Sequence, residues 1–128
     1  MKKVFVTDVS TSTLVMDEDR YLVEMYFMHP MIEVVPHAHP FDSLTIFIGG
    51  HLLGRREGMI GHWLNPRHTG LIGDVLPAGQ WHAFQTGEDG AVVYVISSWK
   101  DLTEKNSATI KYSGTPLGPI HKATLDSL

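Results

Sequence analysis

Short runs of β-forming residues, separated by turn signals, dominate the sequence. We predict ten strands: Lys3–Thr7, Thr13–Asp17, Tyr21–Met28, Ile32–His37, Ser43–Ile48, His51–Arg55, Ile60–Leu64, Ile72–Leu76, Trp81–Gln85 and Ala91–Ser98. We interpret Gly49-Gly50 and Gly87–Gly90 as two of the turns. No segment before Lys100 has a helical period, and only Asp101–Asn106 is predicted to form one helical turn. Short strands at close spacing favour an all-β sandwich or barrel.

Several of these strands are apolar on both faces. In Ser43–Ile48, Leu44 and Ile46 share one face, while Phe47 lies on the other. A strand with one face in water alternates more cleanly between apolar and polar residues. We therefore expect a second layer over the outer face, and a homodimer partner is a natural source of it.

The chain has 128 residues, 43% of them hydrophobic, which is enough for one domain with its own core. We expect a barrel over residues 1–100, and an extension over 101–128 that packs on the barrel or on a dimer partner. The formal net charge of −4 gives no reason to expect a nucleic-acid partner. No apolar run is long enough for a membrane span, and the apolar start is too short for a signal peptide, so a cytoplasmic location is the default.

Histidine is the outlier of the composition, with eight residues, whereas cysteine is absent. His37 and His39 are two residues apart after a predicted strand, so both rings project from one surface within reach of one metal ion. A second stretch, Pro77-Ala78-Gly79-Gln80-Trp81-His82, also ends on a histidine. Imidazole is the commonest metal-binding side chain, so both stretches point to metal chemistry.

Together the two stretches resemble the two motifs of the cupin superfamily, over roughly Ile32–Ser98. His37-Ala38-His39 matches the first motif, and Gly50 stands at its expected spacing, but Ser43 occupies the position of the usual glutamate. Met31 stands where the family usually has a glycine. The second motif is matched at Pro77, Gly79 and His82, and its later asparagine position is Thr86.

The resemblance implies a cupin-type double-stranded β-helix, a jelly-roll-like antiparallel barrel with both motifs lining its interior. It also implies that His37, His39 and His82 converge on one divalent metal ion. Fe, Mn, Ni and Zn all accept imidazole, so the ligand set does not select among them. No further cofactor and no catalytic side chain is identified. Two residues compete for the place of the missing glutamate: Ser43, which keeps the family spacing, and Asp42, which takes it if the turn shifts by one residue.

Three functional hypotheses follow for a chain with such a site. The first is a metal-dependent oxygenase, such as a dioxygenase, acting on a small anionic molecule, because three-histidine cupin sites resemble those of thiol dioxygenases. The second is a non-catalytic cupin that binds a small-molecule ligand. The third is a metal-dependent isomerase or lyase. For the other histidines we expect packing or solvation: His29, His51, His62, His68 and His121. Aromatic residues that can wall the pocket are Phe47, Trp63, Trp81, Tyr94 and Trp99.

Overall fold

The computed structural model describes residues 4–6, 8–57, 62–64 and 72–113. They form nine strands and one helix in the described part of the chain: β1 Val4–Val6, β2 Ser10–Asp17, β3 Tyr21–Met28, β4 Glu33–Ala38, β5 Asp42–Arg56, β6 His62–Leu64, β7 Ile72–Leu76, β8 His82–Ser98, α1 Leu102–Ser107 and β9 Lys111–Tyr112. Every strand pairing among them is antiparallel.

Two long strands, β5 and β8, pair with each other along most of their length and hold the fold together. The C-terminal part of β8 also pairs with β3, and β1 and β2 continue that sheet. The N-terminal part of β8 pairs with β4 instead, and β9 follows β4. The N-terminal half of β5 also pairs with β7, and its C-terminal half pairs with β6. Both long strands therefore belong to two sheets, which enclose the interior of the barrel.

The glycines at Gly49-Gly50 and Gly87–Gly90 do not end strands, so the prediction of two turns there is wrong. β5 and β8 continue through them, with register shifts on either side of Gly49 and Gly50. Gly50 and Gly90 have φ of 84° and 66°, and a Cβ atom on Gly50 would lie 2.2 Å from the carbonyl oxygen of Gly90. The glycines therefore permit the close passage of two bent strands, because β-bulges and glycines bend strands without interrupting the sheet.

The buried core lies beside this passage and comprises Met28, Phe47, Leu52, Ala91 and Val93. Thr86 joins the core to the β3–β4 connection, because its hydroxyl donates to the His29 carbonyl at 2.6 Å and accepts from the Ile32 N–H at 3.0 Å. The connection is thereby fixed against β8, immediately before the strand that carries the first histidine motif.

The segment after β8 packs on the barrel as far as the structure describes it. Asp101 caps α1, and its side chain accepts from the Glu104 N–H at 2.9 Å. Lys105 of α1 pairs with Asp17 at the end of β2. The short β9, which the sequence did not predict, pairs with β4 so that Tyr112 lies opposite His37. The rest of the predicted extension, 114–128, lies outside the described residues.

The outer face of the sheet part formed by β3, β8, β5 and β7 carries exposed apolar side chains. Phe27 of β3 is 44% exposed and Val75 of β7 is 59% exposed. Tyr94 and Ile96 of β8 are half-buried on this face, since Val93 and Val95 point to the inside. A homodimer partner, as expected from the sequence, would cover this face. The homodimer stays a prediction.

Met31 adopts a left-handed conformation, with φ of 54°, at the position where the cupin pattern has glycine. Its side chain is 71% exposed and its N–H donates to the Gly87 carbonyl at 3.0 Å. The left-handed region is unfavourable for L-residues other than glycine by about 1–2 kcal/mol. Little packing compensates for that strain here.

We predict that Met31→Gly increases the free energy of unfolding by roughly 0.5–1 kcal/mol, because relief of the strain exceeds the added flexibility of the unfolded chain. Chemical denaturation of the purified protein measures it. Met31→Ala removes the same side chain but keeps the backbone penalty, so no gain is expected. An equal gain in both variants would contradict the backbone explanation.

Candidate metal centre

The first histidine motif is placed by an irregularity in β4. The register against β8 shifts between Val34 and His37, and both residues nevertheless line the same cavity. In a regular strand, residues an odd number apart face opposite sides. The shift, which includes Pro36, therefore turns the His37 ring to the inside of the barrel, directly across from His82 on β8.

Hydrogen bonds join the two loops that carry the histidine motifs. The Gly79 N–H donates to the His39 carbonyl at 2.8 Å, and the Ala78 N–H donates to Asp42 Oδ1 at 2.8 Å. The side chain of the exposed Asp42 therefore contacts the second loop. Ser43 is buried, and its hydroxyl lies 3.5 Å from His39 Nε2. Of the two residues considered for the glutamate position, Ser43 is the one whose side chain faces the histidines.

The three histidine rings lie together at one end of the cavity. Ring centroids are 4.1 Å apart for His37 and His82, 4.9 Å for His39 and His82, and 6.3 Å for His37 and His39. Two rings that share one ion at Zn–N distances of about 2.0–2.1 Å have centroids roughly 5 Å apart. Two separations are close to this value, and the third is wider. No preformed group of three or more His, Cys, Asp or Glu able to hold a metal is present among the described residues.

Each of the three rings is oriented by a backbone carbonyl two residues away. The Nδ1 atoms lie 2.9 Å from the Val35 carbonyl for His37, 2.7 Å from the Phe41 carbonyl for His39 and 2.9 Å from the Gln80 carbonyl for His82. A carbonyl oxygen only accepts, so Nδ1 carries the proton in each ring. In the neutral ring Nε2 then has the free lone pair, and this tautomer is the one that metal-binding histidines use.

Burial favours the neutral form of two of these rings, His37 and His82. It lowers the pKa of His37, and the nearby His39 lowers it further. It lowers the pKa of His82 to about 4, with smaller contributions from His37, His39 and Arg56. Only the neutral ring binds a metal, so the environment favours the ligating form. The donor set therefore fits a divalent first-row ion in its chemistry, although the rings must close slightly around it.

The cavity that contains the rings has a volume of about 250 Å³. Its wall is mainly apolar and includes Met28, Val34, Leu52, Leu76 and Val95. Cavities of this kind, apolar with a few converging polar groups, suit small molecules. The aromatic residues that line it are Tyr26, Phe41, Phe84 and Tyr112. Phe41 stacks on the His39 ring with centroids 4.3 Å apart and planes at 9°.

The aromatic wall differs from the one expected from the sequence. Phe47 is buried in the core, and none of Phe47, Trp81, Tyr94 and Trp99 lines the cavity. The side chains of Trp63 and His62, and the whole of His68 and His121, lie outside the described residues. His29 and His51 do not line the cavity, as expected.

Glu24 and Tyr26 of β3 also line the cavity, and the sequence analysis missed them. Their side chains interact, and hydrogen bonding with Tyr26 lowers the pKa of the Glu24 carboxyl. A signal was available, because Glu24 is the one charged residue inside Tyr21–Met28, a strand with apolar side chains on both faces. Neither face of such a strand is evidently exposed to solvent, so a charged side chain is unexpected there.

Comparison with known proteins supports the fold. No protein-family model and no curated sequence matches the chain. The polyketide cyclase RemF from Streptomyces resistomycificus is similar with a TM-score of 0.71 at 14% identity, over 90% of this chain and 82% of RemF. A protein with a double-stranded beta-helix domain from Klebsiella pneumoniae has a TM-score of 0.63 at 16% identity, over 87% of this chain and 90% of that one.

The capsular polysaccharide assembling protein CapF from Staphylococcus aureus is similar with a TM-score of 0.68 at 17% identity, over 88% of this chain. The chain spans only 31% of CapF. These likenesses confirm the predicted fold class: the chain is an all-β protein with the cupin-type double-stranded β-helix. At such low identity they show the fold alone. Among the described residues, no helix has the length and apolar character to cross a membrane.

We predict that metal-free protein loses stability as the pH falls from about 6.5 to 4. The unfolded His82 binds a proton near its ordinary pKa of 6.5, but the folded ring does so only near 4. Protonation in this range therefore favours the unfolded chain by about 1–3 kcal/mol. The stability that depends on a neutral His82 is fully present above pH 6.5 and is lost as the pH falls towards 4. His37 acts in the same direction.

Denaturant titrations between pH 4 and 7.5 measure this loss. His82→Gln should remove much of the pH dependence, because glutamine does not titrate, whereas His51→Gln, outside the cavity, should retain it. An unchanged slope in His82→Gln would show that burial of this ring does not control the acid response.

Proposed function

We propose that His37, His39 and His82 hold one divalent first-row metal ion and that the protein is a metal-dependent enzyme for a small anionic molecule. One observation carries the proposal: all three Nδ1 atoms lie within hydrogen-bond distance of backbone carbonyls, which leaves the Nε2 atoms as the metal-binding atoms in one cavity. Among the described residues, the one hydrogen-bonding partner of these Nε2 atoms is the Ser43 hydroxyl, 3.5 Å from that of His39. A bound ion supplies Lewis-acid chemistry and attracts anionic oxygen ligands. Its full charge of +2 is retained there, because all three ligands are neutral.

The cavity also suits a small and partly apolar anion. No Lys or Arg side chain lines it among the described residues, so the histidine end is where negative charge is best stabilised once an ion is bound. The Ser43 hydroxyl, 3.5 Å from His39 Nε2, can donate to an oxygen of the bound molecule. Valine, leucine and methionine side chains form much of the remaining wall, which suits the carbon skeleton of such a molecule.

For the reaction we propose proton transfer, in an isomerisation or an elimination, in preference to oxygenation. The cavity wall carries the acidic side chain of Glu24 beside the hydroxyl of Tyr26, and such groups can take up and release protons. The similar fold of RemF, a polyketide cyclase, is compatible with this proposal. Oxygenase chemistry stays a prediction of the sequence analysis.

A non-catalytic binding protein is the second candidate. The absence of a preformed metal cluster among the described residues favours it, as does the serine in place of the family's glutamate. In that case the cavity holds a small molecule, and the histidines act as hydrogen-bonding groups.

We predict that the chelator-treated protein binds one equivalent of Mn²⁺, Fe²⁺, Ni²⁺ or Zn²⁺ per chain, measured by calorimetry and by metal analysis after dialysis. Ala substitution of His37, His39 or His82 should each weaken binding by about 100-fold or more, because two ligands remain and the open positions increase. His51→Ala is the matched control and should bind as the wild type does. Stoichiometric binding that survives all three cavity substitutions would refute the site.

We predict that oxygen uptake by the Fe²⁺-loaded protein stays at the background rate with a panel of small thiols, dicarbonyls and 2-oxo acids. An oxygen electrode under air measures it, with the Fe²⁺-loaded His82→Ala variant as the control for free iron. Uptake that depends on both the wild-type site and one of these compounds would restore the oxygenase hypothesis.

A further inference from the structure

Glu24 is the only acidic residue among the described residues that line the cavity. It lies on β3, where Glu24, Tyr26 and Met28 alternate along the inner face. Its cross-strand neighbours are Leu14 and Val95, so apolar side chains flank the carboxylate on both adjacent strands. The strand geometry therefore directs one carboxylate into the same enclosed space as the three histidines.

The surroundings of this carboxylate are unfavourable for a purely structural residue. Burial raises the pKa of Glu24, the Tyr26 hydrogen bond opposes this rise, and the nearby Asp17 adds to it. Burial, together with Glu24, also raises the pKa of Tyr26. A partly buried carboxylate flanked by apolar side chains is costly, and such groups concentrate where a protein uses them for chemistry.

We propose that Glu24 is the general base and acid of the reaction, acting on a C–H bond next to a carbonyl or carboxylate group, and that Tyr26 positions it. The inference rests on the proposed function, because the substrate anion is held at the histidine end. It names the substrate class as small carbon acids, of which 2-oxo carboxylic acids are the simplest.

The step needs no oxidant and no second substrate. A carboxylate oxygen of Glu24 takes the proton, and the C–H electron pair becomes the C=C bond of an enolate, whose negative charge rests on the former carbonyl oxygen. Return of the proton to the same carbon regenerates the substrate, and in a substrate with a C=C bond conjugated to the enolate, return of the proton to the γ carbon gives an isomer. If the β carbon carries a leaving group, the electron pair expels it and the product is an alkene. In both cases Glu24 ends the cycle by releasing or returning one proton.

Tyr26 differs from Glu24 in its role. Its hydroxyl donates to the carboxylate, which fixes the direction of the carboxylate and favours its ionised form. Tyr26 is therefore a positioning residue, and its removal should change the pH profile as well as the rate. Asp17 and Tyr112 are the other ionisable neighbours of the pair, and the three histidines line the same cavity.

The test is deuterium exchange at C3 of pyruvate, 2-oxobutanoate, 2-oxoglutarate and oxaloacetate in D₂O, followed by proton NMR with Mn²⁺- or Zn²⁺-loaded protein. With Mn²⁺, samples are quenched with chelator before the spectrum is recorded. We expect exchange above the free-metal background for at least one compound. Glu24→Gln should lower that rate by about 100-fold or more, the usual contribution of a general base. Glu33→Gln is the matched control, since Glu33 is exposed on β4 and does not line the cavity.

Tyr26→Phe should lower the rate by about tenfold and move the pH midpoint of exchange upward, whereas a merely structural role would leave that midpoint unchanged. A second readout is independent of activity. Carbon-13 NMR of the glutamate side-chain carboxyls in metal-free protein, with Glu24→Gln for assignment, should show Glu24 titrating above the other glutamates and higher still in Tyr26→Phe.

The outcomes separate this inference from the proposed function. If wild-type protein binds no metal, the proposed function fails, and the NMR titration still tests the Glu24–Tyr26 pair. If metal binds and exchange is equal in wild type and Glu24→Gln, Glu24 is not the base. If metal binds and no compound exchanges, the substrate class is wrong. A Glu24 carboxyl that titrates like the exposed glutamates overturns the pairing.

Discussion

The close passage of β5 and β8 is the constraint on which the rest of the structure depends. Both strands bend at glycines, and a side chain at Gly50 would collide with the backbone of Gly90. The bends let each strand serve two sheets, so the sheets face one another across a core instead of extending as one flat layer. The same passage places the N-terminal half of β8, with His82, beside β4, with His37. The cavity is therefore a consequence of strand geometry before any side chain contributes to it.

Inside the cavity, local backbone interactions orient the side chains. The histidine rings are directed by carbonyls two residues away along their own segments, and His39 is also held by stacking on Phe41. Such short-range restraints need no metal to form, so the rings are preorganised as neutral donors. The ring centroids of His37 and His39 are 6.3 Å apart, and a bound ion would have to shorten this distance. A chain with this fold and with a serine in place of the acidic ligand of the cupin pattern thus keeps its imidazoles oriented.

The polar groups of the cavity are divided between two groups of strands. The histidines and Ser43 gather at the end formed by β4, β5 and β8, while Glu24 and Tyr26 project from β3. Valine, leucine and methionine side chains contribute to the wall, which raises the effective strength of every charge in the cavity. A small anion with an acidic C–H bond has the shape and charge that this division accommodates. The arrangement connects the two proposals physically, since the proposed metal ligands and the proposed base line one cavity.

The sequence by itself determined the strands, the fold class and the two histidine motifs, because period, turn residues and motif spacing are local properties of the chain. It did not determine that Gly49-Gly50 and Gly87–Gly90 bend strands instead of ending them, since glycine permits both and the neighbouring strands decide. Nor did it identify Glu24, because only the tertiary structure shows which face of β3 is enclosed. The choice of Ser43 over Asp42, and the pairing of β9 with β4, likewise depend on contacts between segments far apart in sequence.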